Sequence, residues 1–478
     1  RAKRIVHTIL DDGGRMEFPL LEDLAEVPYK PNKFPGFEYA RDGLKTRKEA
    51  DHAAQADAER AWVRLMGGEH VQPHYVRLGG RGKVVKMPLE DAKKEDMAKG
   101  RLILMLSQRD LKLLGVTEKP LTARFKAEDC PIYVGKSWFY GGSARLATEL
   151  SNFSKYYCCD AEKFDSSLDP YMIRDAVQFV RSLFRDGTNS RYDAYWAFVE
   201  ESLVRAPIIR DDGMVFWKDV GTTSGHSHNS IIQSICTLYI GYTALIALHP
   251  EMDDRAIFTY STVKSLGDDN LLALCTPLRM VSVEELAQVV REAFGVNWFG
   301  SKSFATTRLV DPDQRAGLPV EGGEFQGYQF LGKYFRKGVV ADEGVETPVV
   351  LPYRPFSETV ARLAYPERPG IPKAAPYLTE GNMSYMRAIG NWMDAAGNRL
   401  TLPFLEEYLD WLEGQRHHVG IRWLEDDIAK MEHDYSGAAE TFLPARRFTY
   451  EEWLDIVTCE KDNVRELYGY RDMHARGV

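Results

Sequence analysis

Two acidic motifs hold the side chains most able to do chemistry: Asp160 and Asp165 in DAEKFD, and the adjacent Asp268 and Asp269 in LGDDN. Singly they are weak, since a lone Gly-Asp-Asp is usually only a turn. Their positions say more. Asp160 ends the aromatic and apolar run 156–159, which reads as a buried strand. Residues 257–266 and 271–275 read as two strands joined by Gly267-Asp268-Asp269-Asn270, which has hairpin turn chemistry. If these strands neighbour each other, carboxylates from both motifs meet at one sheet edge, where they repel unless cations neutralise them. Hard oxygen donors of this kind suit Mg²⁺ or Mn²⁺. Two such ions ~4 Å apart stabilise the attacking and leaving oxygens of an in-line phosphoryl displacement. Zinc has no comparable pattern, because His226/His228 and His417/His418 lack partners at finger-like spacing.

Between the acidic motifs runs Gly221-Thr-Thr-Ser224-Gly225-His-Ser-His-Asn229, leading into an uncharged helix. A polar glycine loop entering a helix presents amides and hydroxyls to an anionic or sugar-bearing ligand, although as an isolated feature it is as readily an elaborate helix cap. The helix that follows is long enough to span a bilayer, but Gln233, Ser234, Thr237 and Thr243 interrupt it, so we expect it buried in the protein, with no membrane partner. The two histidines of the loop are expected to be solvated.

The elements that must position these groups follow from pattern. Asp169 and Pro170 are an N-cap and first-turn proline, opening a helix that should stop near Gly187. Ser282 and Glu285 form a capping box for an amphipathic helix ending at Phe294, with Gly295 as its C-terminal cap. Residues 296–299 are expected to add a strand. The order implies an α+β architecture, an antiparallel sheet covered by helices. From about residue 336 the chain is proline-dotted and then helix-rich, a separate lobe in which Trp411, Trp423 and Trp453 are expected to be core.

Composition narrows the class. The 478 residues carry 61 Lys and Arg against 70 Asp and Glu, a net charge of −9, which excludes nucleic-acid binding by bulk charge but leaves room for a local basic channel. Hydrophobic residues at 44% and charged residues at 27% exclude a mainly disordered chain and a small disulfide scaffold. Six cysteines without a CxxC pair suit a reduced compartment, where Cys158 and Cys159 would be strand packing, and no secretory signal is expected from RAKRIVHTIL. Charge is uneven: residues 71–89 hold Arg77, Arg81, Lys83 and Lys86 with no acidic residue, read as a flexible extended segment.

Taken in order, DAEKFDSSLD, TTSGHSHNSIIQS, SLGDDNLLAL, the helix leading to Lys302 and FQGYQFLGKYF resemble motifs A to E of viral RNA-dependent RNA polymerases. KKEDMAKGRLILM resembles motif F and FPGFEYARDGLKTRKEA motif G, so the likeness covers residues 34–335. It is nearest in look to the partitivirus, curvulavirus and picobirnavirus group of double-stranded RNA viruses.

The resemblance implies a right-hand polymerase with fingers, a palm of ferredoxin-like core and a helix-rich thumb. The N-terminal extension and fingers would span 1–154, palm 155–170, fingers 171–214, palm 215–336, and thumb and C-terminal region 337–478. Asp160 and Asp268, with Asp269 beside them, would be catalytic metal ligands for Mg²⁺ or Mn²⁺, and Lys302 the general acid for the pyrophosphate leaving group. Asp165 would lie under the incoming ribose, Ser224 and Gly225 would form the mobile loop around the nascent pair, and Lys99 and Arg101 would neutralise the triphosphate. Arg77, Arg81, Lys83 and Lys86 would grip RNA, and the stretch from Phe330 to Lys333 would support the primer end. Partners would be template and nascent RNA, ribonucleoside triphosphates and a viral capsid protein, in the virion interior and host cytoplasm.

The chain departs from the family pattern in places. Where many polymerases have Thr and Asn, five and nine residues after the loop serine, it has Asn229 and Gln233; Asn229 could bond Asp165 and the ribose, and the sequence does not decide between them. Leu266 replaces a frequent Tyr, and Lys93, Lys94 and Lys99 compete for the motif F role. A reverse transcriptase would share the palm but should carry a bulky aromatic gate where Asp165 stands. A non-catalytic, capsid-associated RNA-binding protein would not need intact Asp160, Asp268, Asp269 and Lys302.

Overall fold

The computed structural model describes residues 1–82, 100–298, 303–312, 326–342, 344–366, 370–371, 376–421 and 446–469 of the chain. Its strands, in chain order, are β1 (Val76–Gly82), β2 (Gly100–Met105), β3 (Lys155–Cys159), β4 (Pro207–Ile209), β5 (Val215–Trp217), β6 (Ser261–Leu266), β7 (Asp269–Leu274), β8 (Phe304–Thr306), β9 (Gln329–Phe330), β10 (Lys333–Asp342) and β11 (Val345–Tyr353). Among the described residues they form three sheets, ordered β2-β1-β4-β5, β6-β7-β3-β8 and β11-β10-β9.

The antiparallel sheet β6-β7-β3-β8 sits between two cores because its strands are apolar on both faces. Tyr157, Cys159, Leu272 and Leu274 point into the main core, while Tyr156, Cys158, Leu271 and Ala273 point into a second one with Tyr328, Phe330 and Phe335. That is the two-residue period of a strand buried on both sides. The helix Asn229–Leu248 covers the main-core face and is itself largely buried, so its bilayer-length apolar run serves packing. The helix Val283–Phe294 begins with the expected reciprocal Ser282 and Glu285 cap and ends at Gly295, whose φ of 66° suits glycine. A third core in the C-terminal lobe gathers Leu351, Tyr385, Trp392, Leu409 and Trp453.

Several expected boundaries shift. Residues 257–260 are not strand: Asp253 caps Ala256 N–H at 2.7 Å, and a short helix, Asp254–Tyr260, precedes β6. The helix opened by Asp169 ends at Ser182, one turn before Gly187. Residues 296–298 have no regular structure, Phe299 lies outside the described residues, and the sheet's fourth strand is β8. Residues 77–82 of the basic segment are strand, paired with residues 100–105 of β2. Trp453 is buried as expected, but Trp411 is 57% exposed, and Trp423 lies outside the described residues.

Candidate active site

β3 pairs with β7 so that Cys159 faces Asn270, which brings Asp160, the next residue, to the end of the sheet where the β6–β7 hairpin turns. The hairpin is tighter than its sequence suggests. Leu266 pairs with Asp269, so only Gly267 and Asp268 form the turn, and Asp269 and Asn270 belong to β7. The Asn270 amide donates to Cys159 O at 3.2 Å and Asp268 O at 3.1 Å, tying the two carboxylate-bearing segments together. Asp160 and Asp268 are exposed at this rim and Asp269 is half-buried. The N–H of Asp160 donates to Ser303 Oγ at 2.8 Å.

Burial, then the charge of Asp268, pushes Asp269 up to about 7; the backbone N–H of Leu331 opposes this and the charge of Asp160 adds to it. Leu331 and Gly332 form the two-residue turn of the β9–β10 hairpin, both at positive φ (51° and 70°), and the left-handed Leu331 aims its N–H at Asp269. Among the described residues no three His, Cys, Asp or Glu side chains converge as a closed metal cage. The donors present are hard oxygens of like charge, and beyond burial Asp268 and Asp160 both push Asp269 up. They fit a divalent cation that completes its shell with water and phosphate oxygens.

The polar residues that interrupt the apolar helix hold this turn. Ser234 Oγ accepts the N–H of Gly267 at 2.8 Å, Thr237 Oγ1 donates to Gly267 O at 2.7 Å, and Ser265 Oγ donates to Ser234 O at 3.1 Å. The residue before Ser234 serves the other motif: the Gln233 amide donates to the Asp165 carboxylate and, at 2.7 Å, to Thr222 Oγ1. The alternative left open by the sequence is thus decided for Asp165: its partner is Gln233. Asn229 is buried at the start of the helix, its N–H on His226 O at 3.1 Å.

The 221–229 loop is fastened at both ends. Gly221 (φ 75°) lies so close to Asp165 that a Cβ would sit 2.1 Å from its carbonyl oxygen. Ser224 Oγ accepts the N–H of Leu104 at 3.2 Å, and a Cβ on Gly225 would lie 1.9 Å from Leu104 O. The loop therefore packs on β2, the strand that emerges from the basic segment. His226 and His228 are not solvated: they are 4% and 0% exposed, bonding Ser202 Oγ at 3.0 Å and Thr117 Oγ1 at 2.9 Å. Burial holds His226 well below the usual histidine range and pushes His228 down to about 3. The signal that misled was the polar look of the loop; tertiary packing buries it.

Other expected site residues fare differently. Lys83, Lys86, Lys99 and Lys302 lie outside the described residues, as do Lys93 and Lys94. Arg81 and Arg101 stand opposite each other in the β1–β2 register. Arg77 pairs with Asp211 at 3.3 Å and lies 5.1 Å over the Phe34 ring. Phe330 and Lys333 are not surface groups. Phe330 is core, and Lys333, 6% exposed, is ion-paired to Asp394 of the C-terminal lobe, which also takes Arg354 Nε at 2.5 Å.

Comparison with known proteins gives a consistent picture. The profile of viral RNA-dependent RNA polymerases matches residues 25–341. The genome polyprotein of zucchini yellow mosaic virus (strain Reunion Island) is 30% identical over 154 residues, covering 30% of this chain and 5% of the polyprotein. That of bean common mosaic necrosis virus (strain NL-3) is 28% identical over 154 residues, again 30% and 5%. The chain thus spans a small fraction of the length of these curated relatives. Among solved structures, the RNA-dependent RNA polymerase of a human picobirnavirus superposes with a TM-score of 0.61 at 13% identity, over 99% of this chain and 79% of that one. Its insertion-loop deletion mutant gives 0.61 at 15%, over 95% and 78%. The fold they share is the α+β right hand.

Proposed function

The chain belongs to the family of viral RNA-dependent RNA polymerases, and from that membership we propose that it copies RNA templates into RNA, as the polymerase of a double-stranded RNA virus. The observation that carries the proposal is the meeting of Asp160 with the Asp268–Asp269 hairpin at one sheet edge, beside an Asp165 held by Gln233. The fold likeness to the picobirnavirus enzyme supports the assignment to a double-stranded RNA virus. In this reading residues 1–154 and 171–214 supply the fingers, 155–170 and 215–336 the palm, and 337–478 the thumb and C-terminal region.

The family generally uses divalent metal ions. Here Asp160, Asp268 and Asp269 would hold Mg²⁺ or Mn²⁺. Such ions, when bound, lower the pKa of an attacking 3′-hydroxyl and offset the charge building on the phosphates. The chain's own residues do the rest. Gln233 orients Asp165 toward the ribose of the incoming nucleotide, where a carboxylate accepts from a 2′-hydroxyl. Ser224 and Gly225 place the loop against the nascent pair, Lys99 and Arg101 neutralise the triphosphate, and Lys302 delivers a proton to the departing pyrophosphate. Template sequence is read by base pairing, so the protein needs a backbone-gripping channel, and a net charge of −9 is no obstacle. Template and nascent RNA, ribonucleoside triphosphates and a capsid protein are the proposed partners, in the virion interior and host cytoplasm.

The test is incorporation of labelled NTPs, with dNTPs in parallel, on single-stranded RNA with Mg²⁺ or Mn²⁺. Metal-dependent, template-dependent RNA is the expected product. Product from dNTPs alone would identify a reverse transcriptase. Binding of RNA without product, even with capsid protein added, would overturn the proposal.

A further inference from the structure

Lys218 follows β5, and its half-buried side chain reaches beneath the start of the 221–229 loop. Nζ donates to Gly221 O at 2.9 Å and to Leu203 O at 3.0 Å. Both acceptors belong to tightly tied backbone. Leu203 O also accepts from Thr223, through its N–H at 2.9 Å and its Oγ1 at 2.8 Å. The N–H of Gly221 donates to Leu168 O at 2.9 Å, and that of Thr222 donates to Asp165 O at 2.7 Å. Thr222 Oγ1 in turn accepts from Gln233, whose amide also holds the Asp165 carboxylate. An unbroken path of contacts therefore runs from the Lys218 ammonium through Gly221 and Thr222 to both the backbone and the side chain of Asp165.

Charge acts along the same line. Burial pulls Lys218 down to about 8, and the charge of Asp165 opposes this. A half-buried ammonium is a costly way to brace two carbonyls, which a neutral donor could do with less desolvation. What a lysine adds is a positive field on Asp165 and charge-assisted bonds, roughly twice as strong as neutral ones.

We propose that Lys218 is a positioning residue for ribose selection: its ammonium fixes Gly221 and Thr222 and holds the Asp165 carboxylate in the arrangement that receives a 2′-hydroxyl. The proposal rests on the reading of Asp165 as the ribose-facing group, so its test carries Asp165→Ala as a control.

The readout is kcat/KM for ATP divided by that for dATP on a primed RNA template. Lys218→Met and Lys218→Gln should lower this ratio about ten-fold, as expected for losing a charge-assisted contact worth ~1.4 kcal/mol, while Lys218→Arg keeps most of it. Gln retains a donor without the charge, so it answers the question if the Met variant does not fold. A merely structural lysine would depress both substrates together and leave the ratio intact. If Asp165→Ala lowers the ratio and folded Lys218→Gln does not, the Lys218 proposal is overturned and the ribose reading stands. If Asp165→Ala also leaves it unchanged, both fall.

Discussion

The amide of Gln233 donates to the carboxylate of Asp165 across 68 residues of sequence, and the same amide donates to Thr222 Oγ1 at 2.7 Å. One side chain thus joins the DAEKFD motif to the 221–229 loop, and the next turn of its helix, through Ser234 and Thr237, grips the Gly-Asp-Asp turn. Removing it frees Asp165 to turn away. Gln233→Ala should raise dNTP use relative to NTP by about ten-fold, the value of one hydrogen bond to a charged group. Steady-state incorporation of ATP and dATP checks this; an unchanged ratio in a folded variant contradicts it.

Gly225 has no space for a side chain. A methyl group there would meet Leu104 O at 1.9 Å, so Gly225→Ala must push the loop off β2 or distort the strand. Overpacking of this kind costs about 1–3 kcal/mol. The expected outcome is a lowered melting temperature together with at least a ~100-fold fall in incorporation, as positioning is lost. Wild-type activity in the alanine variant would show that the contact does not matter.

The buried histidines make stability depend on pH. His228 has a folded pKa of about 3 against an ordinary 6.5, and His226 is lowered as well, in both cases by burial first. A depressed folded value means that the unfolded chain takes up the proton first. The stabilisation is complete above pH 6.5 and is lost as pH falls below it, by up to about 1.4 kcal/mol per pH unit for each histidine. Urea unfolding between pH 7.5 and 5 should show this slope, and His228→Gln should flatten it by about one histidine's share. Parallel curves for wild type and variant would contradict the assignment.

The joint between the β11-β10-β9 sheet and the C-terminal helices adds an ionic cluster to its apolar contacts. Asp394 takes both Lys333 and Arg354, which are 6% and 7% exposed. Asp394→Ala takes the carboxylate from the buried Lys333 and leaves Arg354 with Glu358 alone, and should cost about 3 kcal/mol, read as a shift in urea midpoint. A change under about 0.5 kcal/mol, the scale of an ordinary surface substitution, would show that the pair is not holding the joint.

Local chemistry made much of this architecture readable from sequence. The reciprocal cap at Ser282 and Glu285, the Asp169 and Pro170 helix start and the two-faced strand before Asp160 each depend on residues within a few positions of one another. What was not readable depends on distance. The β-branched run around Ile257 masked the Asp253 cap that makes 254–260 helical. Asn229 and Gln233 share one helix stripe at four-residue spacing, so periodicity alone does not say which of them meets Asp165. Polar His226 and His228 looked like loop surface until Thr117 and Ser202 arrived from other helices to bond them. Lys333 reads as an RNA-facing cation beside an aromatic; its partner Asp394 lies 61 residues onward.

In the proposed function, Asp160 and the Gly-Asp-Asp hairpin form a phosphoryl-transfer centre. Asp268 tests it most directly, being exposed at the turn, where its replacement disturbs no core. Labelled-NTP incorporation and RNA affinity should be measured side by side for wild type and Asp268→Ala, with Mg²⁺ and with Mn²⁺. The variant is expected to lose at least ~1,000-fold in incorporation with either ion, about 4 kcal/mol of barrier, while its RNA affinity stays within about three-fold of wild type. Undiminished synthesis by Asp268→Ala would contradict the proposed function.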